Sequence, residues 1–529
     1  MISKFKTLFY TLIHLKPIQA IYQVKNRLTK VGPLSTFQIS LTETLKLSFF
    51  DAPAIHYYLK VELNHFHFEY LNLTRSYPKS SVDWNDQTHG KLWNYNLQYL
   101  DFLKQEDVSV KVKIDLVSDI YSWLWTGKLP LEPYPASLRI MNLIRFLSTQ
   151  EIDQSSKEEL IKYLGAEVTY LSKNLEFHLL ANHLLENAFA WWMGALFFNH
   201  QEWIKKSSKL LKSQLDEQIL ADGAHYELTP MYHQIILFRV LEAYYLSPNQ
   251  YELKFILKEK AELMLGWLSH LTFPNGSLPH FNDTTEGIAY APVFLKGIEK
   301  CIGLNSANKP LNESGYRKLV SRDLRLVADM EGIKPSYQPG HAHADTFSFV
   351  LHQGQVPVIV DPGISTYTIS PRRDWERSTL AHNTVTLDRK NSSQVWAGFR
   401  VAKRAKVTFK KETSDHVIAL HDGFGNQLHQ REFKRISNGF EIVDEILNYD
   451  GKSLIDARFY LHPGIDPEFV SPSKIQLLNT LLLEFEGFNS IQVVPYEFAN
   501  GYNSLLPAQS LLVSFNNGNK LTTRFITNS

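Results

Sequence analysis

The chain has 529 residues, 44% of them hydrophobic and 21% charged, and its 55 Lys and Arg nearly balance its 54 Asp and Glu. That balance excludes a global field able to gather nucleic acid, and the single cysteine, Cys301, excludes an internal disulfide. The length allows two or three domains with sizeable cores, and an aromatic content of 13% suits stacking on sugar rings as well as core packing.

Residues 1–90 form a mixed, aromatic-rich lead-in. Lys4, Lys6, Lys16, Lys25, Arg27 and Lys30 make its first thirty residues basic, with no acid among them. The apolar piece Leu8 to Leu15 is broken by Thr11 and His14. It is too short to span a bilayer, and no small-residue cleavage site follows it. It reads as a packed helix, with a segment lying on a membrane surface as the alternative.

Residues 91–320 read as helical. Apolar residues recur at three- and four-residue spacing in Val112–Leu124, Ala136–Leu147, Lys157–Leu171, Leu179–Phe198, Ile204–Ile219, Met231–Leu246 and Leu253–Leu271. Successive helices joined by short Pro-, Gly- or Asn-bearing links suggest a ring or solenoid of helical pairs. From residue 321 to 529 the period changes to 2, with strands expected at Thr346–His352, Val356–Val360, Asn383–Leu387, Ala405–Lys410, Val417–Leu420, Phe440–Ile446, Leu481–Glu486 and Leu511–Phe515. Short strands without intervening helices point to packed antiparallel sheets. The fold class expected is therefore α+β and multidomain, helices first and sheets after.

Polar residues interrupt these apolar patterns at four places. In Asn182-His183-Leu184-Leu185-Glu186 the three polar residues share roughly one helix face, where they need partners or a solvated cleft. In the stretch Asp222 to His233, Thr229 is placed as an N-cap and Pro230 as the first helical residue. Tyr232 then sits in the first turn, where the helix dipole favours phenolate and is expected to lower its pKa. In Gly340-His341-Ala342-His343-Ala344-Asp345, read as β-structure, the two imidazoles at i and i+2 point the same way. With Asp361 and His382, His343 forms a plausible zinc set. Arg372, Arg373, Arg377, Arg400 and Arg404 cluster with Trp375, Trp396 and Phe399, a mixture that suits an acidic sugar. Core packing, a strand-ending turn at Asp361-Pro362-Gly363 and solvated basic faces account for the same residues without any function.

Taken together, Asn182-His183, Pro230-Met231-Tyr232-His233, Pro339 to Phe349, Val360-Asp361-Pro362-Gly363, Glu376-Arg377-Ser378-Thr379, Ala381 to Val385 and Trp396 to Val401 resemble the heparinase II/III-like polysaccharide lyases, a family related to alginate lyases. The resemblance covers roughly residues 85 to 450. It implies an incomplete α/α toroid followed by a C-terminal antiparallel β-sandwich, and β-elimination of a uronic-acid-containing polysaccharide. It also implies that Asn182 and His183 bind the uronate carboxylate, that Tyr232 is the acid or base, and that His341 is its partner. Glu186, Tyr226, His233, Tyr367, Arg377, Trp396 and Arg400 are expected to bind substrate or support the site. His343, Asp361 and His382 match positions that hold a structural Zn2+. The partner expected is an acidic polysaccharide, and the location a bacterial cell envelope or periplasm. Two other readings compete: a glycoside hydrolase using two of Asp222, Glu227 and Asp283, and a non-catalytic component of exopolysaccharide or capsule assembly.

Overall fold

The computed structural model describes residues 2–29, 32–35, 44–516 and 518–527, with the side chains of residues 2–4 left out. Lys30 and the side chain of Lys4, counted in the basic lead-in, fall outside these. All seven expected helices form, as Val110–Thr126, Pro133–Thr149, Gln154–Lys173, Ala181–Phe197, Gln201–Gln218, Pro230–Leu246 and Glu252–Leu271. Local chemistry sets several boundaries. The Ser109 hydroxyl accepts from the Val112 N–H at the start of the first helix, and Gly127 closes it with a positive φ of 71°. Asp153 caps the third in the same way through Ser156.

Burial sorts these helices into two layers. Pro133–Thr149, Ala181–Phe197 and Pro230–Leu246 are buried nearly all round and pack on one another as an inner ring. Gln154–Lys173, Gln201–Gln218 and Glu252–Leu271 bury one face each against that ring. This is the toroid. The lead-in adds two short helices, Ile2–Leu12 and Pro17–Leu28, and an antiparallel sheet of Leu59–Val61, His65–Tyr70 and Leu73–Pro78. The aromatic side chains of that sheet join the toroid core: Phe68 packs against Trp84 and Phe102, and Tyr70 against Trp93.

The sheet half starts at Tyr316, five residues before the boundary read from the period change, because Tyr316–Ser321 and Leu324–Asp329 pair with Phe349–Gln353 and Val356–Ile359 in a four-stranded sheet. An eight-stranded sheet is built on the long strands His416–Phe424, Gln427–Ile436, Gly439–Leu447 and Lys520–Thr527. A further four-stranded sheet joins Ser490–Ala499, Leu505–Ser514, Ile455–Tyr460 and Val385–Leu387. All pairings are antiparallel, and one apolar core unites the three sheets. The Gly340–Asp345 run is a loop between paired strands, not a strand. Its backbone serves the site and no sheet ladder.

Candidate active site

The helical and sheet halves meet at Tyr232 and His341, whose ring centroids are 4.3 Å apart. Tyr232 stands where Thr229 and Pro230 start the helix, as the sequence requires. His341 comes from the loop of the sheet half. The Tyr367 hydroxyl lies between them, 3.4 Å from the Tyr232 hydroxyl and 3.3 Å from His341 Nδ1. Tyr232, Tyr367 and Glu186 line a cavity of about 570 Å³, walled by the lead-in sheet, the inner helices and the loop at Tyr502. That volume is within the usual range of ligand clefts.

The carboxylate of Asp283 organises this centre, and sequence reasoning placed it only among acids of a hydrolase. It is fully buried and accepts from His341 Nδ1 and His343 Nε2, each at 2.8 Å, and from Arg373 at 2.5 and 2.7 Å. Burial alone would raise its pKa. Arg373 and the two imidazoles more than offset that and hold it well below the ordinary carboxylate range. With Nδ1 donating to Asp283, the ring nitrogen left to act is Nε2. So both imidazoles do converge, but on a carboxylate supplied by a loop 58 residues earlier.

Two further carboxylates tie the helical residues. Glu227 accepts from the Asn182 side chain through both oxygens, at 2.8 and 3.0 Å, and from its backbone N–H at 2.9 Å. Its other neighbour is His341 Nε2, at 3.5 Å. Asn182, expected to bind a uronate directly, has its side-chain amide turned to this carboxylate. Glu176 accepts from His183 Nδ1 at 3.2 Å. Burial would depress the His183 pKa, yet Glu176 and the neighbouring carboxylates raise it, which favours imidazolium. Residues held at positive φ flank all three polar centres: Leu180 and Ala181 before Asn182, Leu228 after Glu227, and Asn282 before Asp283. Strained non-glycine backbone of this kind persists where the surroundings over-determine it.

The Tyr232 pKa is not lowered. Burial raises it well above 10, with Tyr502, Glu227 and Asp283 adding to the effect and the Tyr367 hydroxyl only partly opposing it. Desolvation of a phenolate outweighs a helix dipole, and the group is a neutral phenol at pH 7.

Other expected positions separate. Tyr226 stacks on Tyr337 with centroids 4.8 Å apart, and its hydroxyl accepts from the Tyr337 N–H. Glu186 is buried and accepts from Arg239 at 3.1 Å. His233 does not reach the cleft: Nδ1 accepts from the His225 N–H, Nε2 donates to the Met264 carbonyl, and the ring packs on Trp267. Arg377 does not line the cavity either. It is buried and donates to the Ala342 carbonyl, between the two loop histidines. Trp396 and Arg400 lie on a hairpin away from the cavity, where Arg400 covers the indole and Trp396 Nε1 donates to Thr11. Helical i, i+1 spacing could not show that His233 points opposite to Tyr232's neighbours, because both faces of this helix are apolar and buried.

Of the acids a hydrolase would use, Asp222 accepts from Ser314 and Asn312 away from the cleft. Glu227 and Asp283 both contact the same histidine and do not face each other across an open gap.

Around the expected metal set, His382 Nδ1 bonds Asp361 at 2.7 Å and its ring lies 5.3 Å from that of His343. His343 Nδ1, His382 Nε2 and both oxygens of Asp345 are buried without a partner. Orphaned nitrogens and an orphaned carboxylate are the donor chemistry of a divalent-metal site. Among the described residues, no three such side chains stand in ligating geometry.

Comparison with known proteins converges on one family. The chain matches the description "Heparinase II/III N-terminus" over residues 85–298 and "Heparinase II/III-like, C-terminal" over residues 304–524. A heparin-sulfate lyase of Pedobacter heparinus is 23% identical over 422 residues, 73% of this chain and 60% of that protein. One from Bacteroides stercoris is 23% identical over 320 residues, covering 54% and 46%. The chain thus spans about half the length of these curated relatives. In three dimensions it is similar to a heparinase III (TM-score 0.67, 15% identity, 96% of this chain and 91% of the other). It is also similar to heparan sulfate lyase HepC of Pedobacter heparinus (TM-score 0.59, 18% identity, 88% and 81%). Likeness at that identity concerns the fold.

Proposed function

The chain belongs to the heparinase II/III-like family, and from this and the cleft geometry we propose that it is a polysaccharide lyase cleaving a uronic-acid-containing polymer by β-elimination. The observation that carries the reading is the contact between the Tyr232 phenol and the His341 ring across the junction of the two halves.

Hydrogen bonding and burial divide the labour. His341, with Nδ1 donating to Asp283, offers Nε2 as the base that takes the proton α to the sugar carboxylate. The C–O bond at the β carbon breaks, and the departing glycosidic oxygen takes the proton of the neutral Tyr232 phenol. His183, which carries Glu176 behind it and has its pKa raised, meets the uronate carboxylate and stabilises the enolate-like charge. Asn182 acts through Glu227 as a positioning residue. Tyr134, packed on His183 with centroids 4.5 Å apart, keeps that ring in place.

A zinc ion is proposed at His343 and His382 with a carboxylate of Asp361 or Asp345, on the strength of the partnerless His343 Nδ1, His382 Nε2 and Asp345 oxygens. Bound there, it would pin the His343 loop and supply no Lewis-acid step. Elemental analysis of the purified protein, and the metal content and melting temperature of His343→Ala and His382→Ala, test this apart from activity. The polymer is proposed to be met at the bacterial cell envelope; among the described residues no helix is long and apolar enough to cross a membrane.

The test of the function is a panel of uronate polymers, heparan-type and alginate-type included, followed by the ultraviolet absorbance of the unsaturated product. On any polymer that is cleaved, Tyr232→Phe is expected to lose about 10²–10⁴ in kcat. It should keep its stability, since the hydroxyl makes only the 3.4 Å contact with Tyr367. Wild-type turnover in that variant, or a product without a double bond, refutes the assignment.

A further inference from the structure

The helices Ile2–Leu12 and Pro17–Leu28 reverse the usual order of a globular surface. Thr7 and Thr11, four apart on one face of the first helix, accept from Gln394 and from Trp396 Nε1 at 2.8 and 3.3 Å. Gln19, Tyr22 and Asn26, at i, i+3 and i+7 of the second, turn toward the body. Gln19 donates to the Leu179 carbonyl, Tyr22 packs on Phe177, and Asn26 bonds His178. The opposite stripes are apolar and face outward: Phe5, Phe9 and Leu12 on the first helix, and Ile21, Val24 and Leu28 on the second. Phe5 is 72% exposed, Ile21 64% and Leu28 80%. The expected packed helix thus forms, but polar groups hold both helices to the body and their apolar faces are exposed.

The charge around these faces has one sign. Lys6, Lys25 and Arg27 are exposed, and no acid occurs among the first thirty residues. Lys16 is held by Glu217, which belongs to the toroid. Exposed apolar stripes bordered only by cations fit an acidic lipid surface, where apolar side chains enter the headgroup boundary and cations meet phosphate. The same charge opposes a second copy, because like charges would face each other.

We infer that residues 2–28 form an interfacial element that docks the protein on an anionic membrane surface. The element is tied to the body of the protein: Gln19 reaches the Tyr337 carbonyl, and the Lys16 ammonium lies 4.0 Å over the Tyr337 ring, which stacks on Tyr226. The inference is independent of the chemistry assigned to Tyr232 and His341.

The experiment is co-flotation of the full chain with vesicles of phosphatidylglycerol and phosphatidylethanolamine, beside vesicles of phosphatidylcholine alone, with size-exclusion chromatography of the free protein. Two variants are compared with wild type, Phe5→Ser/Phe9→Ser/Leu12→Ser and Lys6→Glu/Lys25→Glu/Arg27→Glu. All six side chains lie outside the core, so both variants should keep the wild-type melting temperature. Binding is expected on the anionic vesicles only, falling about 100-fold or more when the three cations are reversed and about 10- to 100-fold when the three apolar side chains become serine. No binding to anionic vesicles, equal binding to both vesicle types, or binding that survives charge reversal overturns the inference. A self-associated species in the absence of lipid that the serine variant abolishes also overturns it, in favour of a second copy.

Discussion

Replacing Asp283 by Asn tests the centre of the site at two levels. Its carboxylate and Arg373 are both fully buried and bonded in bidentate fashion. Neutralising one partner leaves the guanidinium as a lone buried charge, a loss of about 3–5 kcal/mol in comparable pairs. Asn also cannot accept from two imidazoles and a guanidinium at once. Its amide would donate to His341 Nδ1, moving the ring proton to Nε2 and removing the lone pair that takes the substrate proton. A tautomer reversal of that kind costs about 10⁴ in kcat in serine proteases, and about 10³–10⁴ is expected here. Asp283→Asn/Arg373→Met separates the two effects. Removing the stranded cation should restore most of the stability while leaving the rate as low as in the single variant. Urea unfolding reads the first quantity and the absorbance of the unsaturated product the second. If Asp283→Asn loses less than about 1 kcal/mol and less than tenfold in rate, Asp283 neither balances Arg373 nor sets the His341 tautomer.

Acid stability should follow the buried histidines. Burial lowers the pKa of His233 to about 3 and of His225 to about 4. Below pH 6.5 the unfolded chain therefore binds protons that the folded chain refuses. Stability is complete above that pH and falls as pH drops toward the folded values, by up to ~1.4 kcal/mol per pH unit for each histidine. Urea midpoints at pH 7.5 and 5 for the wild type and for His233→Gln check this, and an unchanged acid slope in the variant contradicts it. Gly223→Ala should destabilise by about 3 kcal/mol or more. Gly223 has a φ of 93°, and a Cβ there would lie 2.2 Å from the Leu263 carbonyl oxygen. A thermal midpoint within 2 °C of wild type would show that this turn can move.

The sheet half was less legible than the helical half for a physical reason. Helical period survives in a long segment, and all seven helices were placed within a few residues. Strands such as Leu324–Asp329 and Ile455–Tyr460 are buried on nearly every residue and so lose their alternation. Others, such as Gln427–Ile436, carry charged residues on the outer face that resemble a loop. The Gly340–Asp345 run has strand-like spacing but is a loop, because its backbone groups bond elsewhere: the His343 N–H to Asn282 Oδ1, the His341 carbonyl to the Asp283 N–H and the Ala344 N–H to the Arg377 carbonyl.

Residue types and their local spacing determined the helical ring and the helix start that presents Tyr232. Those features depend on neighbours within a turn or two, and a linear string records them. Tertiary structure alone decided what the polar groups face. It assigned Asp283 to two histidines and Arg373, gave Asn182 to Glu227, turned His233 into the core, and kept Tyr232 a neutral phenol. Each outcome depends on a partner or a desolvating wall brought from tens of residues away. Hydrogen bonding and burial act through space, and the order of the chain does not record that distance.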